Sequence, residues 1–444
     1  MKLKGALLFI VLPVLLTAIF LEPSSENYSG IYALALAVIG LALAACFSRP
    51  VIGACCLVMS MHWIMEEGIY LSLYFLMIAN LLFLLIGFVK SEVKVDFLWF
   101  MPLGIMLAYL GLVLLKKPYD LHMTIYYVDL VGLVFFAAVS LFRWDSDRVH
   151  NFLSAHLTYM VVWALIERMV VYSDRISGPS LSATNFAALV TTSWTIWMIN
   201  GWISGKTRLP VLALGSAAVC LCVILSGSRM GFIGMGIGGM FGILSFFLKD
   251  MKSRILPILG KVLLVGAVLT VLAVLLWMIL PDESLIKRGF NILAKGKLDR
   301  SSIGRLGVWL TALDIFKKHP MWGCGPGNFL HFNRLFLDQF NMIPLMRYVP
   351  RLGHAHNVYL MVLSEQGIVG IAALGSVCLL CFRELFLYIK NKWDGLGFAL
   401  LGGALVFMAL GLIDVFPLFP SSLGWGAWYM GVLFSLRLYR KGPK

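Results

Sequence analysis

Long hydrophobic runs constrain this chain more than any other feature. They fall at 5–21, 30–47, 51–64, 68–89, 97–115, 123–142, 151–172, 185–203, 208–226, 230–248, 262–280, 357–382, 397–415 and 420–437. A helix needs about 20 residues to cross the roughly 30 Å hydrocarbon core of a bilayer, and lipid offers no partner for an unpaired backbone group. The runs therefore predict an all-α fold, a polytopic transmembrane helical bundle of about 12–14 helices. The lower figure holds if 51–64 pairs with 68–89 as a re-entrant hairpin. Only 13% of the residues are charged and 60% are hydrophobic, against about 25% charged in soluble domains. A large water-soluble enzyme is excluded.

Charge sorts the loops. With Lys2 and Lys4 placed inside, alternate loops carry Arg49, then Lys90 and Lys94, Arg143 and Arg148, Lys206 and Arg208, Lys249 to Lys261, Arg383 to Lys392, and finally Arg437, Arg440, Lys441 and Lys444. The positive-inside rule makes these cytoplasmic, together with both termini. The first run is longer than a signal-peptide core and lacks a cleavage site before Glu22, so it reads as a retained helix. Several opposite loops break the charge trend: Lys116 and Lys117, Arg175, Arg229, and the basic segment 281–355. Net charge is +14. A basic non-cytoplasmic face runs against topology and points to an anionic ligand on that side.

The chain thus divides into N-terminal transmembrane helices (1–280), one large extramembrane helical loop region (281–355) and C-terminal transmembrane helices (356–444). Within the loop, Ile303 to Lys318 has an amphipathic pattern with Leu306, Val308, Trp309, Leu313 and Phe316 apolar, and stops at His319-Pro320. Residues 323–327 read as a turn and Phe329 to Phe340 as a second short helix. Of the eight cysteines only Cys324 lies in a long polar stretch, so no extramembrane pair is available for a disulfide. No His/Cys cluster has zinc-ligand spacing, so no metal site and no cofactor are expected.

Three stretches hold the polar groups of most chemical interest: Ser226-Gly-Ser-Arg-Met-Gly231, Gly304 to Trp309 leading to His319 through Gly327, and Arg351 to Gly370. In the last, a membrane helix is expected to begin near His356. Gly367 would follow about three turns on, on the His356 face near the midplane, with Gly370 close to that face, so that a neighbouring helix packs tightly. Glu365 falls on the opposite face. A histidine at such a helix mouth is also read as an interfacial polar residue without chemistry.

Arg229 sits in a tight turn beside Gly227 and Gly231, where a ligand has room to approach the backbone. An Arg near hydrocarbon counts as a functional candidate, its rival role being to snorkel to headgroup phosphates. Arg305 opens the amphipathic helix, where a solvated helix residue is the alternative. Arg175 precedes Ser177-Gly178-Pro179, and its alternative is a loop Arg bound to lipid.

His356-Asn357 followed by Gly367 and Gly370, with the other two stretches in the same order, resembles the signature of the bacterial O-antigen ligase family and its relatives, the O-antigen polymerases and protein O-oligosaccharyltransferases. The resemblance covers the second half of the chain well and the first half only as a string of hydrophobic segments. It implies a multi-pass bacterial inner-membrane glycosyltransferase whose active site faces the periplasm. Such an enzyme moves a preassembled O-antigen glycan from undecaprenyl pyrophosphate to the lipid A-core of lipopolysaccharide, without a metal. The partners implied are that donor, that acceptor and membrane lipids, with no nucleic acid.

In that reading His356 is the general base, since a neutral histidine with a pKa near 6.5 accepts a hydroxyl proton. Arg229, Arg305 and Arg175 bind the donor pyrophosphate through planar, permanently charged donors and stabilise the charge that grows as the glycosidic bond breaks. His354 and Arg351 support the site. Asn357 orients an acceptor hydroxyl or caps the helix, and Asp414 polarises a His or Arg or is a water-exposed helix-end carboxylate. The polymerase and protein-transfer readings share the donor chemistry, so these residues do not separate them. From a different class, a flippase for a lipid-linked glycan would show paired repeats and polar groups at midplane. No repeat is visible, and the candidates gather at one mouth.

Overall fold

A computed structural model of the chain describes residues 70–90, 123–171, 175–177, 182–249, 300–339, 349, 351–391, 394–415 and 420–440, with scattered helical positions between 51 and 58 and between 99 and 108. Side chains are described for most of these. The expected segments 5–21, 30–47 and 262–280, the basic residues 287–297, and most of 51–64 and 97–115 lie outside the described residues, as do both termini.

All regular elements among the described residues are helices: α1 (Tyr70–Lys90), α2 (Met123–Leu141), α3 (Ser146–Ile166, continued as a π-helical turn Glu167–Val171), α4 (Ala183–Ile203), α5 (Leu209–Ser226), α6 (Arg229–Lys249), α7 (Arg300–Lys318), α8 (Phe329–Gln339), α9 (Val358–Asn391), α10 (Gly395–Gly411) and α11 (Pro420–Arg440). Each of the expected hydrophobic runs from 123–142 to 230–248, and the last three, coincides with one of them. Among the described residues, Ser146–Met169, Leu209–Ser226 and Val358–Asn391 are long and apolar enough to cross a membrane. Local signals set the boundaries. Asp145 caps α3 by accepting from the Arg148 N–H, and Asp394 caps α10 by accepting from the Gly397 N–H. Gly227, at φ 58°, ends α5 in the left-handed conformation.

The core is organised around α4, whose residues from Asn185 to Thr195 are all buried. A helix apolar nearly all round belongs at the centre of a bundle, and α3, α5, α6 and α10 pack on it. The approach of α6 is made by a glycine ridge: Gly234 faces Thr191, Gly238 faces Thr195 and Gly242 faces Met198, each so near that a Cβ would clash. Small residues at every fourth position are how helices associate where lipid removes the hydrophobic drive. Around α3 and α11 the core is aromatic. Phe152 stacks on Trp428 at 4.1 Å, and Trp144 meets Trp428 edge-on at 5.9 Å. Trp428 and Trp99 lie near segment ends, where sequence suggests an interfacial belt, yet both are buried. Trp99 donates to the Ser140 hydroxyl at 2.6 Å.

A smaller cluster sits over the start of α9, built by Val308, Ala312 and Ile315 of α7, Phe329, Phe336 and Leu337 of α8, and Val349, Ala355, Met361 and Val415. The amphipathic face of α7 differs from the expected one. Leu306 and Leu313 are both 40% exposed, because the helix carries two apolar stripes and buries the one through Val308 and Ile315.

Helix α9 is not continuous. Gly367 takes φ 65°, ψ −157° and breaks it. The backbone groups around the break bond to the segment 320–325: Ile368 N–H to the Pro320 carbonyl, Val369 N–H to Met321, Cys324 N–H to Ser364, and Gly325 N–H to Glu365. This strap lies so close that a Cβ on Gly367 would sit 2.5 Å from the Met321 carbonyl carbon, and one on Gly323 would collide with Glu365. The small residue at 367 therefore admits a strap rather than a neighbouring helix, and Gly370 makes room for Gln366 of its own helix. The arm 368–391 that follows the break is about 36 Å long.

Candidate active site

The site is assembled where α9 begins. Asn357 accepts the N–H groups of Tyr359 and Leu360 through Oδ1, both at 3.0 Å, and donates from Nδ2 to the Leu412 carbonyl. It caps α9 and ties that end to the end of α10, so of the two roles weighed from sequence the cap is the one seen. The Tyr359 hydroxyl adds a bond to the Met408 carbonyl at 3.0 Å.

His356, just ahead of the cap, has φ 47° and is the sole non-glycine residue with positive φ among the described residues. Such a conformation carries strain and persists only where the surroundings impose it. Its Nδ1 meets Asp414 Oδ1 at 3.1 Å. Asp414 is 4% exposed, so the water-exposed reading of it is corrected: the turn after α10 folds it inward. Burial pushes its pKa up, but the hydrogen bond and charge of His356 and the Val415 N–H outweigh this and hold it below the ordinary carboxylate value. An ionised Asp414 accepts a hydrogen bond from the Nδ1–H of the ring, which leaves Nε2 with a free lone pair, the tautomer a general base requires.

His354 stands edge-on to His356, with ring centroids 4.4 Å apart. Burial, then the neighbouring His356 charge, lower its pKa to about 4 against the opposing pull of Asp414. It is neutral at neutral pH and supports His356 by packing. His354, His356 and Asp414 each offer a ligand atom within 4.8 Å of the others, a donor set that spacing along the chain did not suggest. An ion held by His356 Nδ1 and Asp414 Oδ1 would replace the hydrogen bond between them.

The arginines approach from other elements. Arg175 donates from Nε to the Ser226 carbonyl at 2.9 Å and from its guanidinium to the Gly227 carbonyl at 3.4 Å. Its segment is anchored by Glu167, which accepts from the Ser177 N–H and hydroxyl. Arg175 therefore clamps the turn from which Arg229 opens α6. Met230 packs with Ala188, Val406 and Leu410, with Ile413 against them, placing this turn at the end of the bundle that holds Asp414. Gly231 is packed against Val223 and Ala187, so it serves helix contact instead of ligand approach. Arg305 is half-buried on α7, which lies on α9, and Gly307 presses on Val349 of the loop leading to His356. Arg351 is turned outward and pairs with Asp338 of α8 at 2.9 Å, with both side chains more than half exposed.

Sequence reasoning passed over Glu365 because of its helix face. It is 5% exposed, and its Oε1 accepts the Phe329 N–H at 3.0 Å. It thus caps α8 while its own carbonyl receives the strap. Nothing in the linear pattern signals this, since donor and acceptor are far apart in sequence.

Fold and site together define a class: a helical integral membrane protein with a carboxylate-held histidine at the mouth of its bundle and arginines on the surrounding turns. Residues 211–375 match the family model of the O-antigen ligases. The match supports membrane glycosyltransferase activity of the O-antigen ligase and polymerase superfamily. It includes Arg229, Arg305, the strap and His356, while Arg175 and Asp414 lie outside it. No curated protein matches the chain.

Proposed function

We propose that this protein transfers a preassembled glycan from undecaprenyl pyrophosphate to the lipid A-core of lipopolysaccharide, on the periplasmic side of the inner membrane. The observation that carries this reading is the His356–Asp414 pair, which holds the histidine with one ring nitrogen engaged and the other available. An acceptor sugar hydroxyl gives its proton to His356 Nε2 as its oxygen bonds the anomeric carbon of the donor glycan. The bond from that carbon to the pyrophosphate oxygen breaks, and undecaprenyl pyrophosphate leaves. Arg229 and Arg305 stabilise the departing charge, with Arg175 holding the Arg229 turn and sharing in the charge. The step needs no metal.

The test offers purified protein a synthetic polyprenyl-pyrophosphate glycan and, separately, lipid A-core, a second donor molecule and a Ser/Thr peptide, with and without a chelator. Product on lipid A-core that survives chelation and falls at least 100-fold in both His356→Ala and Arg229→Ala is expected. General-base and charge-stabilising groups are each worth about that factor or more. Lengthened donor chains alone would instead identify a polymerase. Full activity in His356→Ala would remove the histidine from the chemistry, and loss of activity on chelation would move the three-residue donor set to the centre of it.

A further inference from the structure

Packing against His356 leaves one atom of His354 without a role. Its Nδ1 is buried and has no hydrogen-bond partner, a costly state for an imidazole nitrogen. The ring stands edge-on to His356 at 4.4 Å between centroids, and His356 Nδ1 meets Asp414 Oδ1 at 3.1 Å. His354, His356 and Asp414 thus bring donor atoms within 4.8 Å of one another, although His356 and Asp414 are 58 residues apart in the chain. Among the described residues no other three histidine, cysteine or carboxylate side chains converge in this way.

Two imidazoles and one carboxylate are the donors of an open transition-metal site, in which water fills the fourth position. Zinc holds such atoms at about 2.0–2.2 Å, and a tetrahedron of that size sets them about 3.4 Å apart. The His356–Asp414 pair is already near that spacing, so the adjustment left falls to the His354 ring. Gly353 beside it allows this, since even a Cβ there would meet nothing within 4 Å. Imidazole nitrogen favours zinc, copper, nickel and cobalt over magnesium and calcium, which take oxygen donors. The open side is at His356, whose side chain is 24% exposed against 6% for Asp414, so an ion reaches the carboxylate past His356.

We propose that His354, His356 and Asp414 form a binding site for a divalent transition-metal ion, with zinc as the type case, and that an ion held there switches His356 off. The inhibition rests on the base role proposed above, whereas the site itself rests on donor geometry. A neutral imidazole has one nitrogen lone pair. If the ion takes it at Nδ1, the ring proton moves to Nε2, and the atom that would accept from a sugar hydroxyl becomes a donor. If the ion binds Nε2, the same lone pair is spent. Either way the ring keeps its single proton and takes none from the acceptor. Removing the ion restores the base, because no covalent bond of the protein has changed.

The experiment titrates zinc alone into the full chain in nanodiscs, purified without a polyhistidine tag, and follows binding by calorimetry. X-ray absorption at the zinc edge reports the ligand atoms, and glycan transfer is measured in parallel. Zinc is expected to bind as a single ion per chain with two imidazoles in its shell, and to stop transfer until a chelator restores the metal-free rate. Magnesium and calcium at the same concentration should do neither. A direct ligand matters at least as much as an outer partner, so His354→Asn and Asp414→Asn should each weaken zinc binding about tenfold or more. The zinc concentration that halves the rate of His354→Asn, relative to its own metal-free rate, should rise by the same factor. His331→Asn, at an exposed histidine of α8, should change neither. Thermal midpoints of the metal-free variants check that they fold, and the absorption spectrum of the wild type stands without them. A shell of oxygen atoms alone, undiminished binding in both variants, or full transfer with the site filled would overturn the proposal. Zinc on two imidazoles in a protein that makes no glycan product would sustain the site and remove the proposed reaction. Transfer by a protein that binds no zinc at these residues would do the reverse.

Discussion

The interior around α4 and the mouth around His356 are held together by different means. In the interior, helices meet through small side chains and stacked rings: the Gly234–Gly238–Gly242 ridge lies on α4, and Trp428 packs among Phe152 and Trp144. At the mouth, contact is made by main chain. Four hydrogen bonds join the strap to the break in α9, and Asn357 and Tyr359 anchor to carbonyls of α10. The interior tolerates exchange among residues of similar volume, since its contacts are non-directional. The mouth tolerates little, because a backbone bond depends on conformation and register. Positional accuracy is therefore concentrated around the His356–Asp414 pair, where the proposed proton transfer would take place, on a scaffold that needs only to be well filled.

The strongest way to break this contrast is at the strap. Gly367→Ala adds a Cβ in contact with Met321 at a backbone conformation that side chains rarely adopt, so it should cost about 3 kcal/mol or more and lower the thermal midpoint sharply. Activity should vanish with it. Gly238→Ala in the interior, a smaller insult against the Thr195 hydroxyl, should cost about 1–3 kcal/mol and leave the surviving folded fraction active. A folded, fully active Gly367→Ala protein would refute the claim that the mouth depends on backbone register.

Asp414→Asn separates position from charge. The amide keeps the shape but favours the wrong ring tautomer at His356, so kcat should fall about 100-fold or more with a small change in thermal midpoint. If activity is retained, the ring is oriented by its backbone alone.

Acid should weaken the mouth before the interior. His354 has a pKa near 4 in the folded protein against 6.5 in an exposed histidine. Between those values the unfolded chain binds a proton that the folded chain does not, so stability falls as pH drops from about 6.5 to 4. The depressed Asp414 carboxyl contributes stability above the unfolded carboxylate pKa, and this is lost at still lower pH. The His354 part should be on the order of 2 kcal/mol. Thermal midpoints at pH 7, 6 and 5 should decline less in His354→Asn than in wild type, and parallel slopes would remove the histidine from the account. The smallest effect belongs to Arg351→Ala. Its pair with Asp338 is exposed, and such pairs are worth about 0–1 kcal/mol, so a change of more than twofold in transfer rate would reassign it to the site.

Much of this was legible in the chain. The helix positions followed from hydrophobic runs, and the end of α5 from Gly227. The caps and the turn at 323–327 needed only local signals. What stayed hidden depends on residues distant in sequence. The break at Gly367 gives no local sign, because glycine is common within membrane helices and the strap that stabilises this one lies some forty residues earlier. Asp414 is 58 residues from His356 and resembles any carboxylate at a helix end until α10 folds back. The buried face of α7 was ambiguous because two apolar stripes compete on one helix. Arg351 stood beside the histidines in sequence and was drawn outward by Asp338.

The splice between strap and α9 has a consequence for how this part of the protein can vary. Its register is written in carbonyls and amides, which every residue except proline supplies alike. Met321 is 55% exposed and takes part through its carbonyl. Substitution there should be inexpensive, whereas inserting or deleting one residue between Pro320 and Gly325 would shift every bond beyond it and carry the shift into α9. The strap is open to changes of spelling and closed to changes of length.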